Sequence, residues 1–208
     1  MTDHPIGRIL TEAAFGRFPA ADGSVEIVRP WHAGVEGVLS MTGRAYVATT
    51  RSREAVLSHQ PDGYGRAVDP LFVSWLAGPG GWADCLDAVL MALGTGVGGP
   101  PSSPAMAGHP RVAHARSIRD DVEVFGDDRG LITLGKGLGG LAELGIEILA
   151  NHGAGAGRSL IRDSLGLVGE GQPVVASVAP GNARALRAFL AAGFTPVGSV
   201  QLVRPAGR

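Results

Sequence analysis

A chain of 208 residues, 45% of them hydrophobic, is long enough to bury a substantial core without covalent staples. A formal net charge of -1, with no Lys/Arg-rich run, excludes the basic footprint of a nucleic-acid binder. Cys85 is the single cysteine, which excludes an internal disulfide or a cysteine zinc site and fits a reducing, cytoplasmic setting.

Residues 1–24 are weakly patterned and read as an N-terminal tail or short helix. Asp3 and Glu12, with no basic start followed by an apolar run, argue against a secretory signal. Val25 to Val28 alternates as a strand does, and Pro30 ends it. The region around Val35 to Met41 reads as a helix and Ala45 to Thr50 as a strand. Residues 60–110 read as a helical and loop insertion. It opens with a turn-like segment at 60–66. Helices follow near Leu71 to Leu76 and Ala83 to Leu93, the second carrying Cys85 as a small packed residue. A loop rich in Gly, Pro and Ser spans Gly94 to His109; with the Trp82 segment it either shapes an acceptor pocket or simply connects. The uncharged stretch between Asp87 and Arg111 is densely apolar only from Ala88 to Leu93. That is short of the about 20 residues that a helical membrane span takes.

From Arg111 onward the pattern sharpens. Ser117 to Phe125 and Leu131 to Leu134 read as a hairpin turning at 126–130. Leu141 to Ile148 is a third strand, with Leu144, Ile146 and Ile148 on one face and Glu143, Gly145 and Glu147 on the other. After the segment His152 to Gly157, a helix from about Ala156 to Val168 places Leu160, Ile161, Leu165 and Val168 at helical spacing. Pro173 to Val178 is a strand. Asn182 to Ala192 is a helix with Ala185, Leu186, Phe189 and Leu190 inward, and Val197 to Val203 is the last strand.

Strand, glycine-rich turn and helix in succession make an anion site. The first turn of a helix leaves N–H groups unpaired, and glycines let the backbone close on phosphate oxygens. Residues Gly153, Ala154, Gly155, Ala156, Gly157 and Arg158 supply that geometry here. A dinucleotide fingerprint fits poorly, because its third glycine falls on Arg158 and only about 50 residues remain for the domain. A P-loop at Gly130 to Gly137 has glycine where magnesium needs Ser or Thr.

The pattern His152-x-x-Gly155-x-Gly157 resembles the Arg/Gln-x-x-Gly-x-Gly/Ala signature of the GNAT superfamily of acyl-CoA-dependent N-acetyltransferases. Asn182, Ala185, Phe189 and Gly193-Phe194 fall at the spacing of its Asn-x-x-Ala-x-x-x-Tyr-x-x-x-Gly-Phe block. The resemblance covers roughly residues 123–200. It implies an α/β (α+β) fold: a single GNAT-like domain over 25–208, with a mixed, mostly antiparallel sheet flanked by helices. Its central parallel strand pair splays apart, and the CoA-binding part lies at about 117–203. Acetyl-CoA is implied as co-substrate, with the Ile146 and Ile148 backbone toward pantetheine and His152 to Arg158 around the pyrophosphate. Asn182 would cap the last helix or orient the strands, and Phe189 would line the cofactor.

Acetyl transfer to an amine needs the uncharged amine, a fraction of about one in a few thousand at pH 7 for a pKa of ~10.4. A carboxylate on the strand entering the loop suits a general base, which points to Glu143 and Glu147. A backbone N–H between Ile146 and Leu149 would stabilise the oxyanion. Phe189 stands where relatives carry a tyrosine that protonates the leaving thiolate. Tyr46, Ser177, water or no acid at all remain as alternatives, and with them a non-catalytic acyl-CoA binder. His32, His59, His109 and His114 lack metal-ligand spacing, so no metal is assigned. The expected partner is a small-molecule amine, with no nucleic acid and no membrane.

Overall fold

The computed structural model describes residues 2–149 and 155–206. Among the described residues, nine strands form one open sheet in the order β1-β3-β2-β9-β4-β8-β7-β6-β5. The strands are β1 (Val25–Val28), β2 (Glu36–Met41), β3 (Arg44–Ala48), β4 (Trp82–Leu93), β5 (Asp120–Asp127), β6 (Gly130–Lys136), β7 (Ala142–Ile148), β8 (Pro173–Val178) and β9 (Thr195–Arg204). The helices are α1 (Pro5–Ala14), α2 (Arg53–Leu57), α3 (Pro70–Ala77), α4 (Pro110–Arg116), α5 (Ala156–Ser164) and α6 (Ala183–Ala191). All pairings are antiparallel except β1 with β3 and β7 with β8. The fold is therefore mixed α/β around one mostly antiparallel sheet. No described helix is long and apolar enough to cross a membrane.

Helices cover both faces. On one face, α1 packs Ile6, Leu10 and Ala13 onto Leu39, Tyr46, Val89, Met91, Val175 and Val200, and α4 sets Val112 on Val124 and Leu131. On the other, α3 lays Phe72, Val73 and Leu76 over Val38 and Val47. Beside it, α5 and α6 lay Leu160, Ile161 and Phe189 over Leu90, Ile132, Leu144 and Val174. Helix starts follow local chemistry. Proline, whose missing N–H costs nothing at a first turn, opens α1, α3 and α4. His4 Nδ1, Asp69 Oδ1 and His109 Nδ1 accept the N–H of Ile6, Leu71 and Arg111.

Several expectations from the sequence give way here. Of the two readings of the first 24 residues, the short helix holds and the tail does not: α1 spans Pro5–Ala14, with Ile6 and Leu10 fully buried. Val35 to Met41 is not a helix; Glu36–Met41 is strand β2. Ala83 to Leu93 is not a helix within an insertion; Trp82–Leu93 is β4, hydrogen-bonded between β9 and β8. Both segments lack alternation for one reason: β2 and the Val89 to Ala92 part of β4 are interior strand buried on both faces, so their apolar residues run on. Cys85 accordingly sits exposed on β4 rather than packed on a helix. Leu190 is exposed rather than inward. Backbone bonds tie much of the 94–109 segment down, among them Thr95 N–H to Leu165 O, Gly98 N–H to Gly166 O and Ser103 N–H to Val124 O.

Candidate functional site

Strands β7 and β8 pair at two positions only, Ala142 with Val174 and Glu143 with Val175. Beyond them β7 continues to Ile148 and β8 to Val178 without pairing to each other, although β6 pairs with β7 throughout. The two strands open into a cleft. Leu149 N–H donates to Arg129 O on the β6 side at 3.1 Å. Strand alternation then turns the backbone groups of Gly145 and Glu147 toward β6 and those of Leu144, Ile146 and Ile148 toward the cleft. The Ile146 carbonyl accepts Arg111 Nη2 from α4 at 3.2 Å.

The two faces of the cleft differ. On the α5/α6 face Leu144, Ile146, Ile148, Ala176 and Val178 form an apolar wall with Phe189. Phe189 packs edge-to-face on Phe194, ring centroids 5.0 Å apart, and is buried. It presents no proton donor. On the α4 face, Glu143 is buried and bound to Arg119 Nη2 at 2.6 Å and to Leu138 N–H at 2.8 Å. Glu147, two residues on, is accessible and has Arg111 Nε at 3.5 Å. The shared face expected of Glu143 and Glu147 is present, but one is locked and the other reachable.

This polar face also holds groups that sequence reasoning did not single out. Asp87 on β4 shares the face of Val89, whose register partner on β8 is Ser177. Burial foremost pushes the Asp87 carboxyl above its ordinary range, with Asp84 and Glu143 adding to the effect. The Cys85 thiol donates to Asp87 Oδ1 at 2.9 Å and is pushed up to about 12, chiefly by that bond, so it stays a thiol rather than a nucleophilic thiolate. Burial foremost lowers His114, with Arg111, Arg119 and Arg204 opposing its charge against Asp84. A neutral imidazole at pH 7 follows. Nothing in the spacing of Asp87, Arg119 and His114 marks them; only the packing of α4 and the segment after it on the sheet gathers them. Tyr46, an alternative proton donor, is buried on β3, four strands from β8, or roughly 19 Å at ~4.8 Å per strand. Ser177 stays beside the cleft.

At the mouth, α5 begins at Gly155, which has φ +96° and no side chain to cap the helix. A β-carbon on Gly155 would meet nothing within 4 Å, so space is open there. Gly157 lies between β7 and α6, where a β-carbon would make ordinary contact with Ile148 at 3.6 Å and Ala188 at 3.8 Å. Arg129, in the β5–β6 turn, braces this end by ion pairs of 2.6 Å to Asp127 and to Asp163 on α5, and a 3.0 Å bond to Ser159 Oγ. His152, Gly153 and Ala154 lie outside the described residues. Ala156 and Arg158 stand in the first turn of α5. Asn182 Oδ1 caps α6 by accepting Ala185 N–H at 3.1 Å.

Two surface hollows of about 470 and 510 Å³ lie elsewhere, one beside Phe18, Met41 and Pro196, the other beside Arg8, Ile9 and Phe18. They gather fewer convergent polar groups than the cleft, which therefore remains the candidate site. Among the described residues no group of three or more His, Cys, Asp and Glu could hold a metal ion. No protein-family model matches the chain, and no curated protein matches it.

Proposed function

We propose that this chain is an acyl-CoA-dependent N-acetyltransferase of the GNAT type, moving an acetyl group from acetyl-CoA to the amine of a small molecule by direct attack. The observation that carries the reading is the parting of β7 and β8 after two residue pairs, with a glycine-led helix at its mouth. The apolar wall suits a pantetheine arm against Ile146 and Ile148. The first-turn N–H groups of α5, from Ala156 to Arg158, suit the pyrophosphate, with His152 to Gly155 leading into them.

The acceptor amine enters from the polar face. Glu147 is the carboxylate placed to take its proton there, while Glu143 holds Arg119 and the 137–141 turn in position. The amine nitrogen attacks the thioester carbon, the C–N bond forms, and the Ile148 N–H, directed at the cleft by strand alternation, faces the developing oxyanion. The C–S bond then breaks and the thiolate takes a proton from water or from Ser177.

The second reading, a non-catalytic acyl-CoA binder, is favoured by Phe189, whose buried ring offers no acid. A thermal-shift titration with acetyl-CoA, CoA, NAD and ATP tests the site. Ligand at 100 times Kd stabilises by about 2.7 kcal/mol, or roughly 5–10 °C in a chain of this size. A shift with the CoA species alone supports both readings, and no shift at millimolar ligand rejects both. Acetylated product from a panel of small amines then decides for the enzyme. In that case Glu147→Gln lowers kcat while leaving the CoA shift unchanged.

A further inference from the structure

We infer that Arg158, Arg184 and Arg187 form a seam between α5 and α6 that binds a phosphomonoester, placed to read the 3′-phosphate of coenzyme A. The inference rests on the acyl-CoA reading above and adds residues of α6 to it.

The charge distribution comes first. No Asp or Glu follows Glu170, whereas Arg184, Arg187, Arg204 and Arg208 do. Helix α6 therefore carries no acid, and the one acid of α5, Asp163, is paired with Arg129 at 2.6 Å. The chain is close to neutral as a whole, so this segment is locally cationic by segregation rather than by excess.

The helix contacts then bring three of the arginines together. Arg162 Nη2 donates to the Ala191 carbonyl at 3.1 Å, which turns the Arg158/Arg162 stripe of α5 toward α6. Ala188 lies 3.8 Å from where a β-carbon of Gly157 would be, which turns the Arg184/Ala188 stripe of α6 toward α5. Arg158, next to Gly157, thus stands about level with Ala188 and its neighbour Arg187, and Arg184 stands about one turn, ~5.4 Å, before Ala188 on α6. All three are exposed. Among the described residues no ion pair involves any of them.

Like charges at i, i+3 repel, and an anion between the helices relieves that repulsion. A guanidinium binds phosphate oxygens through two parallel N–H donors, and a monoester offers up to two negative charges to share. Arg158 stands in the first turn of α5, and Arg184 and Arg187 bring side-chain charge to it from α6. Coenzyme A has the matching layout, with one phosphate group on its ribose apart from the pyrophosphate. A free phosphomonoester shares the chemistry.

Calorimetric titration of the full chain with CoA, dephospho-CoA, adenosine 3′,5′-bisphosphate and inorganic phosphate separates these sources. The expected result is CoA binding about tenfold tighter than dephospho-CoA. In the variant Arg184→Ala/Arg187→Ala the two bind within about twofold, with dephospho-CoA affinity and melting temperature unchanged. Arg53→Ala, an exposed arginine on α2, keeps the tenfold ratio. Equal affinities in the unaltered chain, or a ratio that survives the double substitution, overturn the seam and leave the acyl-CoA reading standing. Indifference to both CoA species overturns that reading and the CoA assignment together. Bisphosphate or inorganic phosphate binding that the double variant loses, without any CoA response, upholds the phosphomonoester seam alone. Tighter binding of a single-stranded oligonucleotide than of all four probes overturns it in favour of a phosphodiester chain.

Discussion

Strand β8 pairs with β4 from Pro173 to Val178 against Leu93 to Ala88, and with β7 only through Val174 and Val175. One side is zipped along its length and the other is pinned at its base. The pin is where Glu143 meets Arg119 and the Leu138 N–H, all buried. Above it the chain leaves cleft-facing backbone groups to other partners, as Arg111 is to Ile146, because buried backbone polar groups must be paired. The opening is thus confined to one seam of a sheet whose other neighbouring strands pair along most of their length, and a small buried charged cluster stands at its base.

The largest effect should come from breaking that pin. Arg119→Ala leaves Glu143 buried without its cation and should cost about 3–5 kcal/mol in chemical denaturation. Arg119→Met with Glu143→Leu should recover most of it. A single-site loss below about 1 kcal/mol would mean that the pairing of β7 and β8 does not need the ion pair. Next, Gly155→Val forces a β-branched residue into φ +96° and should cost about 1–3 kcal/mol. The CoA-induced thermal shift should vanish with it; a normal shift would place the cofactor away from α5.

The zipped side offers a pH test. His4 caps α1, Nδ1 accepting Ile6 N–H at 3.2 Å and Nε2 donating to Arg29 O at 2.9 Å, so both ring nitrogens are used by the neutral form. Burial foremost lowers its pKa, and the Arg29 charge adds to this. A group depressed on folding stabilises fully above its unfolded pKa, ~6.5, and that contribution is lost as pH falls through the folded value. Stability should therefore drop by about 1 kcal/mol, a cap's worth, on acidification below pH ~6.5. His4→Asn, which caps without titrating, should remove that component; an unchanged acid profile would acquit His4. Smallest is Asn182→Ala, about 1 kcal/mol or less for an exposed cap, read by thermal melting. It should leave the β7–β8 opening, and hence CoA affinity, untouched.

Elements with one wet face, such as β5, α5 and α6, were legible because their residues alternate or repeat at helical spacing, whereas β6 and β8, buried on both faces, were legible as short apolar runs bounded by turn residues. Strand β2 and the Val89 to Ala92 half of β4 were illegible because they are covered on both faces, and Ala, Leu and Met in β4 favour helices in isolation. At the candidate site, the shared face of Glu143 and Glu147 and the start of α5 after Gly155 were readable from local spacing. Arg119 and Arg111 were not, since only the tertiary fold brings them onto β7, nor was Asp87, which lies on β4 two strands away.

The position of β4 also governs how the chain can fold. Strands β8 and β9, joined by α6, run parallel but do not touch; β4 lies between them, pairing Leu93 with Pro173 and Trp82 with Arg204. Without β4, β8 has only its two pairs with β7 and β9 has no partner until a segment made much earlier arrives, and that loop closure must come before its bonds reward it. Folding should be slow for the chain length and set by the docking of β4. Residues 110–208 expressed alone, although they carry every glycine of the loop, should lack a cooperative melting transition.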